Sequence, residues 1–171
     1  MWWACLRVPL KNWNEKRRRN DFDVPPEGVE AMTGKNNMTI TKEERQSLID
    51  LASEARRRAY APYSKYPVGA ALRTKSGRLY TGVNIENAAY PHTMCAERVA
   101  IFKAVSEGET EFEVIAVVTN NGGSPCGGCR QVLAEFGLDT LVLIANGDGI
   151  LQKILTVSEL LPEAFTPEHL Q

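Results

Sequence analysis

The sequence predicts an α/β domain in which helices cover both faces of a mixed β-sheet, giving three layers. Three observations carry this expectation: a helical apolar stripe that opens at Thr41, a hairpin pattern over residues 68–86, and two short, almost continuous apolar runs at 112–119 and 140–145. Apolar runs of that length, rich in β-branched residues, are what a strand covered on both faces requires.

The elements follow in order. Residues 1–37 show no sustained period, carry Pro25 and Pro26 together and end near Gly34, Asn36 and Asn37, so they read as a disordered or non-native N-terminal extension. The domain proper is expected over 38–171, with Met38 in the position of a natural start. In TKEERQSLIDLASEARRRAY, Thr41 and Glu44 form a capping-box pattern, and Ile40, Leu48, Leu51, Ala52 and Ala55 recur at helical spacing. The loop APYSKYP ends that helix. VGAALRT, the turn KSG and RLYTGVNIE then predict two antiparallel strands. A helix is expected from about Met94 to Val105, and FEVIAVVT is the next strand. SPCGGCRQVLAEF opens another helix, with Ser124 read as its N-cap and Pro125 as its first residue. TLVLIA is a second buried strand, ILQKILTV a weaker one, and a short helix around Glu159 precedes a tail from Pro162.

Composition narrows the function. Hydrophobic residues make up 43% and charged residues 24% of the 171, the usage of a globular chain. Lys and Arg number 20 against 21 Asp and Glu, a net charge of −1, which lacks the basic balance of a nucleic-acid binder and suits a small neutral partner. The basic runs Lys16–Arg19 and Arg56–Arg58 read as solvated surface. No apolar run approaches the roughly 18 residues of a membrane span. The opening MWWACLRVPL is broken by Arg7 and Pro9 too soon to form the core of a secretory signal. Of four cysteines, Cys5 stands alone and three cluster in two short motifs, which is not a paired disulfide framework and fits a reduced, cytoplasmic location.

Those motifs are CAER, Cys95–Arg98, and PCGGC, Pro125–Cys129. Cys126 and Cys129 alone are ambiguous between a redox pair, a structural zinc site and a catalytic one. A redox pair leaves Cys95 and Glu97 unexplained, and a closed structural site needs a fourth ligand, for which His92 is the candidate. Three protein ligands with one open position for water is the pattern of a catalytic zinc site. Both motifs lead into expected helices, where unpaired N–H groups and the helix dipole favour thiolates. Three thiolates against one dication leave a negative site, which Arg98 offsets if its guanidinium donates to the sulfurs. Glu97, two residues from Cys95, reads as the proton shuttle between water, a substrate ring nitrogen and a leaving amine.

C-A-E followed by P-C-x-x-C resembles the zinc nucleoside and nucleobase deaminases. AYAPYSKYPVGAAL, TGVNIENAAYP, CAERVAIFKAV and SPCGGCRQVLAEF together closely resemble the small, three-cysteine cytidine deaminases, from about Met38 to the C-terminus. The resemblance implies a three-layer α/β/α cytidine-deaminase-like fold. It also implies zinc on Cys95, Cys126 and Cys129, proton transfer by Glu97, and deamination of cytidine and deoxycytidine to uridine and deoxyuridine with release of ammonia, a step of pyrimidine salvage. Asn84 and Glu86 match the pair that holds the ribose 3'-hydroxyl and neighbouring atoms, chemistry suited to an amide and a carboxylate. The Ala96 backbone N–H would meet the ring carbonyl, and Tyr66 stands where the family commonly has a phenylalanine against the pyrimidine. A homotetramer is implied, in which Phe165 reaches a neighbour's site and covers the nucleoside.

The sequence departs from that pattern in the phenol of Tyr66, in a short TNNGG linker and in the 37-residue front. Two alternatives stand beside the main reading: a nucleoside-analogue deaminase of the blasticidin S type, and a noncatalytic zinc-stabilised binding module with a closed site that includes His92. Editing of polynucleotides is disfavoured by the neutral charge and by the lack of an aromatic-rich basic groove.

Overall fold

Thr41 begins the first helix through two reciprocal bonds. Its hydroxyl accepts from the Glu44 backbone N–H at 3.2 Å, and the Glu44 carboxylate accepts from the Thr41 N–H at 2.8 Å. Helix α1, Lys42–Arg56, turns Leu48, Ile49, Ala52 and Ala55 inward, so Ile49 joins the expected stripe while Leu51 is only half-buried. The chain is described by a computed structural model over residues 40–170, and the extension expected over 1–37, with Cys5, lies outside the described residues.

Strands β1 (Gly69–Thr74) and β2 (Leu79–Val83) form the antiparallel hairpin, and β3 (Phe112–Val118), β4 (Leu141–Ala145) and β5 (Leu151–Thr156) complete one sheet in the order β2-β1-β3-β4-β5. Only β3 and β4 run parallel; the other pairs are antiparallel, so the sheet is mixed as expected. β3 lies at its centre and is covered on both faces. Val114, Ala116 and Val118 pack toward α1, whereas Ile115 and Val117 face helix α2 (Ala96–Ser106) and helix α3 (Gly127–Phe136). Alternation along one strand thus feeds two cores, one per face, and fixes the three layers.

Glycines set how closely the helices approach the sheet. A Cβ on Gly82 would lie 2.2 Å from the Ala96 carbonyl oxygen and 2.6 Å from the Ala100 nitrogen, so β2 and the first turn of α2 touch backbone to backbone. At Gly69 a Cβ would lie 2.0 Å from the Ala52 carbonyl oxygen, which seats α1 on β1 in the same way. The first of these contacts brings the start of α2, with Cys95 and Glu97, against the end of the hairpin.

Two helix starts differ from the sequence expectation. α2 begins at Ala96, not Met94, because Met94 pairs with Ile85 through backbone bonds of 2.9 Å in both directions and Cys95 is the extended N-cap. α3 begins at Gly127, with Cys126 rather than Ser124 as N-cap (φ −68°, ψ 164°). The Ser124 hydroxyl accepts instead from Arg130 at 3.1 Å. The helix around Glu159 forms as α4, Val157–Leu160, with a second capping box between Thr156 and Glu159. Beyond it the tail makes a 3-10 turn, Pro167–Leu170, in which the Thr166 N–H donates to His169 Nδ1 at 3.1 Å.

The first capping box carries a pH signature. The Thr41 N–H, and then Arg73 at 3.0 Å, hold the Glu44 carboxyl below the ordinary carboxylate range. A depressed carboxyl stabilises the fold above its unfolded-state value and loses that contribution as pH falls through its native value. Glu44→Gln should therefore melt a few degrees below the parent at pH ~7, and the gap should narrow as acidification carries the pH down through the depressed native value of the Glu44 carboxyl; thermal melts from neutral into acid pH check it.

Candidate metal centre and active site

Cys95 and Cys126 occupy equivalent positions, each the extended N-cap of its helix with no side-chain bond to its own first turn. Their thiols are thereby free to turn toward each other, and Cys129, one turn into α3, joins them. The Sγ atoms of Cys126 and Cys129 lie 3.5 Å apart, those of Cys95 and Cys126 3.9 Å apart, and all three lie within 4.8 Å of one another. Two sulfurs bound at about 2.3 Å in a tetrahedron stand about 3.8 Å apart, so the spacing fits one zinc ion. Soft sulfur donors in a tetrahedral arrangement select zinc over hard cations. His92 is exposed in a 3-10 turn, Tyr90–His92, and does not belong to this cluster.

The Cys95 and Cys129 sulfurs divide their protons unequally. Cys95 is lowered to about 5, first by its hydrogen bond with Cys129 and then by the Arg98 guanidinium. Cys129 is correspondingly raised, because it donates to the Cys95 thiolate and is buried. The cluster thus already holds negative charge where a cation would lie. Arg98 Nη2 donates to Cys95 Sγ at 3.5 Å, the contact expected of it, while its buried Nε has no partner.

Glu97 follows in the first turn of α2 and is only 4% exposed. Burial is the main cause that raises its carboxyl above the ordinary range, and the neighbouring Cys95 thiolate adds to it. A buried carboxyl next to a metal-binding cluster is placed to accept and return a proton.

Of the remaining predicted residues, Tyr66, Asn84 and Glu86 fall on two loops that meet at the hairpin's end. Asn84 is buried and clamps the segment after α1: its Oδ1 accepts from the Val68 N–H at 2.8 Å, and its Nδ2 donates to the Tyr66 carbonyl at 2.9 Å. One N–H remains for another acceptor. Glu86 accepts from the Tyr63 N–H at 2.8 Å, the Ser64 N–H at 3.2 Å and the Ser64 hydroxyl. The Ser64 hydroxyl is the first cause of its lowered carboxyl. Ala96 is fully buried at the first position of α2, where helix geometry leaves its N–H without an intrahelical acceptor. Phe165 is 57% exposed, stacked on His169 at 5.4 Å, with its carbonyl accepting from Gln131 Nε2 at 2.6 Å.

Two residues enter the site that the sequence reading did not single out. The Tyr66 phenol donates to Asn121 Oδ1 at 2.5 Å, which ties the loop before β1 to the TNNGG linker after β3. Arg130, immediately after Cys129, reaches back to the residues before Cys126. Its position after a C-x-x-C in a helix's first turn is the signal that could have flagged it.

The family described as the cytidine and deoxycytidylate deaminase zinc-binding region matches residues 42–145. The cytidine deaminase of Halalkalibacterium halodurans is 54% identical over 130 residues, covering 74% of this chain and 98% of the relative. That of Sporosarcina psychrophila is 51% identical over 128 residues, 73% of this chain and 93% of the relative. The crystal structure of the cytidine deaminase from Burkholderia pseudomallei superposes with a TM-score of 0.68 at 43% identity, covering 74% of this chain and all of that one.

Proposed function

The chain belongs to the cytidine and deoxycytidylate deaminase family, and from that premise we propose that it hydrolyses cytidine and deoxycytidine to uridine and deoxyuridine, releasing ammonia. The observation that carries this reading is the three-sulfur cluster with Glu97 buried two residues from Cys95. Zinc held there would supply a Lewis acid that makes water a better nucleophile.

The chain's own residues do the rest. Cys95, Cys126 and Cys129 hold the metal, and Arg98 donates to Cys95 to offset the charge of three thiolates. Glu97 takes a proton from the attacking water and passes it to the ring nitrogen beside the amine-bearing carbon as the new C–O bond forms. It then takes the second proton from the added oxygen and gives it to the amine. The C–N bond breaks, ammonia leaves and the carbonyl of uridine remains. The Ala96 N–H fixes the ring carbonyl, the Tyr66 ring lies against the pyrimidine, and Asn84 and Glu86 take the ribose hydroxyl. That role draws on the free Asn84 N–H and on a Glu86 carboxylate that Ser64 and Tyr63 already orient.

The chain's thiol usage suits a reduced, cytoplasmic compartment, its near-neutral charge suits a free nucleoside rather than a polynucleotide, and the product suits pyrimidine salvage. Among the described residues no helix is long and apolar enough to cross a membrane. We place the enzyme in a homotetramer, with the exposed Phe165 ring closing a neighbour's site and excluding water from it. Phe165→Ala and Glu97→Gln should each be impaired alone. Co-refolded, mixed oligomers should exceed the weighted mean of the parents, because some sites combine both native residues. No rise in demonstrably mixed oligomers would remove Phe165 from a neighbour's site.

The function itself is tested by ultraviolet assay of zinc-loaded protein with cytidine, deoxycytidine, cytosine, adenosine and blasticidin S. Turnover of the first two only is expected. Turnover of blasticidin S alone, or of none, would overturn the assignment.

A further inference from the structure

Arg130 brackets the metal ligand Cys126 from both sides. Its backbone N–H donates to the Cys126 carbonyl at 3.0 Å, closing the first turn of α3, a bond any residue could make. Its guanidinium makes three more, each to a different acceptor. Nε donates to the Pro125 carbonyl at 2.8 Å, Nη2 to the Ser124 hydroxyl at 3.1 Å, and Nη1 to the Leu160 carbonyl at 2.8 Å. The first two acceptors belong to the two residues that lead into Cys126. The third is the last residue of α4, from which the tail carrying Phe165 departs.

From this geometry we infer that Arg130 is a positioning residue that couples the metal loop to the C-terminal tail, so that zinc retention and tail docking rise and fall together. The residues before Cys126 are not helical and have no ladder to hold them. The guanidinium fork fixes the Pro125 carbonyl and with it the extended backbone that aims the Cys126 sulfur at Cys95 and Cys129. The same rigid plane holds the end of α4, so a displacement on one side is felt on the other. Lysine cannot substitute, since one ammonium point charge does not reach three acceptors set around a planar fork. Gln131, the next residue, gives the tail a second attachment, donating to the Phe165 carbonyl at 2.6 Å.

The inference rests on Cys126 being a zinc ligand, and its test separates the two. Zinc-loaded parent, Arg130→Lys and Arg130→Met are mixed with the chromophoric chelator pyridylazoresorcinol to follow zinc release, and in parallel with chymotrypsin to follow cleavage at Phe165 by mass spectrometry. Loss of a partner outside the ligand set costs about 10- to 100-fold in metal affinity. Zinc release should accelerate to that extent in both variants, with faster cleavage of the tail. Parental rates for either readout in a folded variant would overturn the coupling, and a parent that holds no zinc would overturn the metal site itself. If both variants fail to fold, hydrogen exchange on the parent decides, because coupling is reciprocal. Stripping zinc should raise deuterium uptake in residues 158–165 as well as 124–130, and unchanged uptake in 158–165 would contradict the inference.

Discussion

Glu97→Gln should hold zinc as the parent does and lose at least about 100-fold in kcat, the scale of general acid–base catalysis. The amide is nearly isosteric with the carboxyl, and Glu97 is not among the sulfurs that can hold the metal, so its replacement leaves the cluster of Cys95, Cys126 and Cys129 in place. It removes the one group in the first turn of α2 that can both take a proton and return it. Because Glu97 is 4% exposed, bulk water cannot readily replace it as a relay. A fall in kcat with KM little changed would mark an interaction made in the transition state. Retained turnover would remove Glu97 from the mechanism, and lost zinc would mean that it supports the site rather than the chemistry.

Cys126→Ala should lose both metal and activity. Two thiolates are too few for tetrahedral zinc, and no other described His, Cys, Asp or Glu joins the cluster to replace the third. Anything that binds the native state alone stabilises it, so a chelator should lower the melting temperature of the parent and leave Cys126→Ala unmoved. Full zinc content in the variant would show that the ligand assignment is wrong.

How much of this was legible in the sequence depended on whether the cause was local. The capping box at Thr41 and Glu44 needs only residues three apart, and it formed as read. The apolar run from Phe112 states its double burial in its own composition. The cysteines were legible because their chemistry, with the acid beside them, has few other uses. The start of α3 was misplaced because sequence reading looks for a hydroxyl cap, and that of α2 because the pairing of Met94 with Ile85 is made across the fold. Cys95 and Cys126 take the N-cap positions without making a cap bond, and Ser124, the obvious cap, serves Arg130. The Tyr66–Asn121 bond and the reach of Arg130 to Leu160 were invisible for another reason. Each joins segments distant in sequence, and only the folded arrangement makes them neighbours.

Everything proposed for the reaction depends on a zinc ion with three sulfurs and one position left for water. Zinc K-edge X-ray absorption on the purified, zinc-loaded chain reads that shell directly. Three sulfurs at about 2.3 Å and a single oxygen at about 2.0–2.2 Å are predicted, with the oxygen exchanged or displaced when a hydrated-pyrimidine nucleoside analogue is added. A fourth protein ligand, whether a sulfur or the imidazole of His92, with no change on adding the analogue, would mean a closed structural site and would contradict the deaminase mechanism.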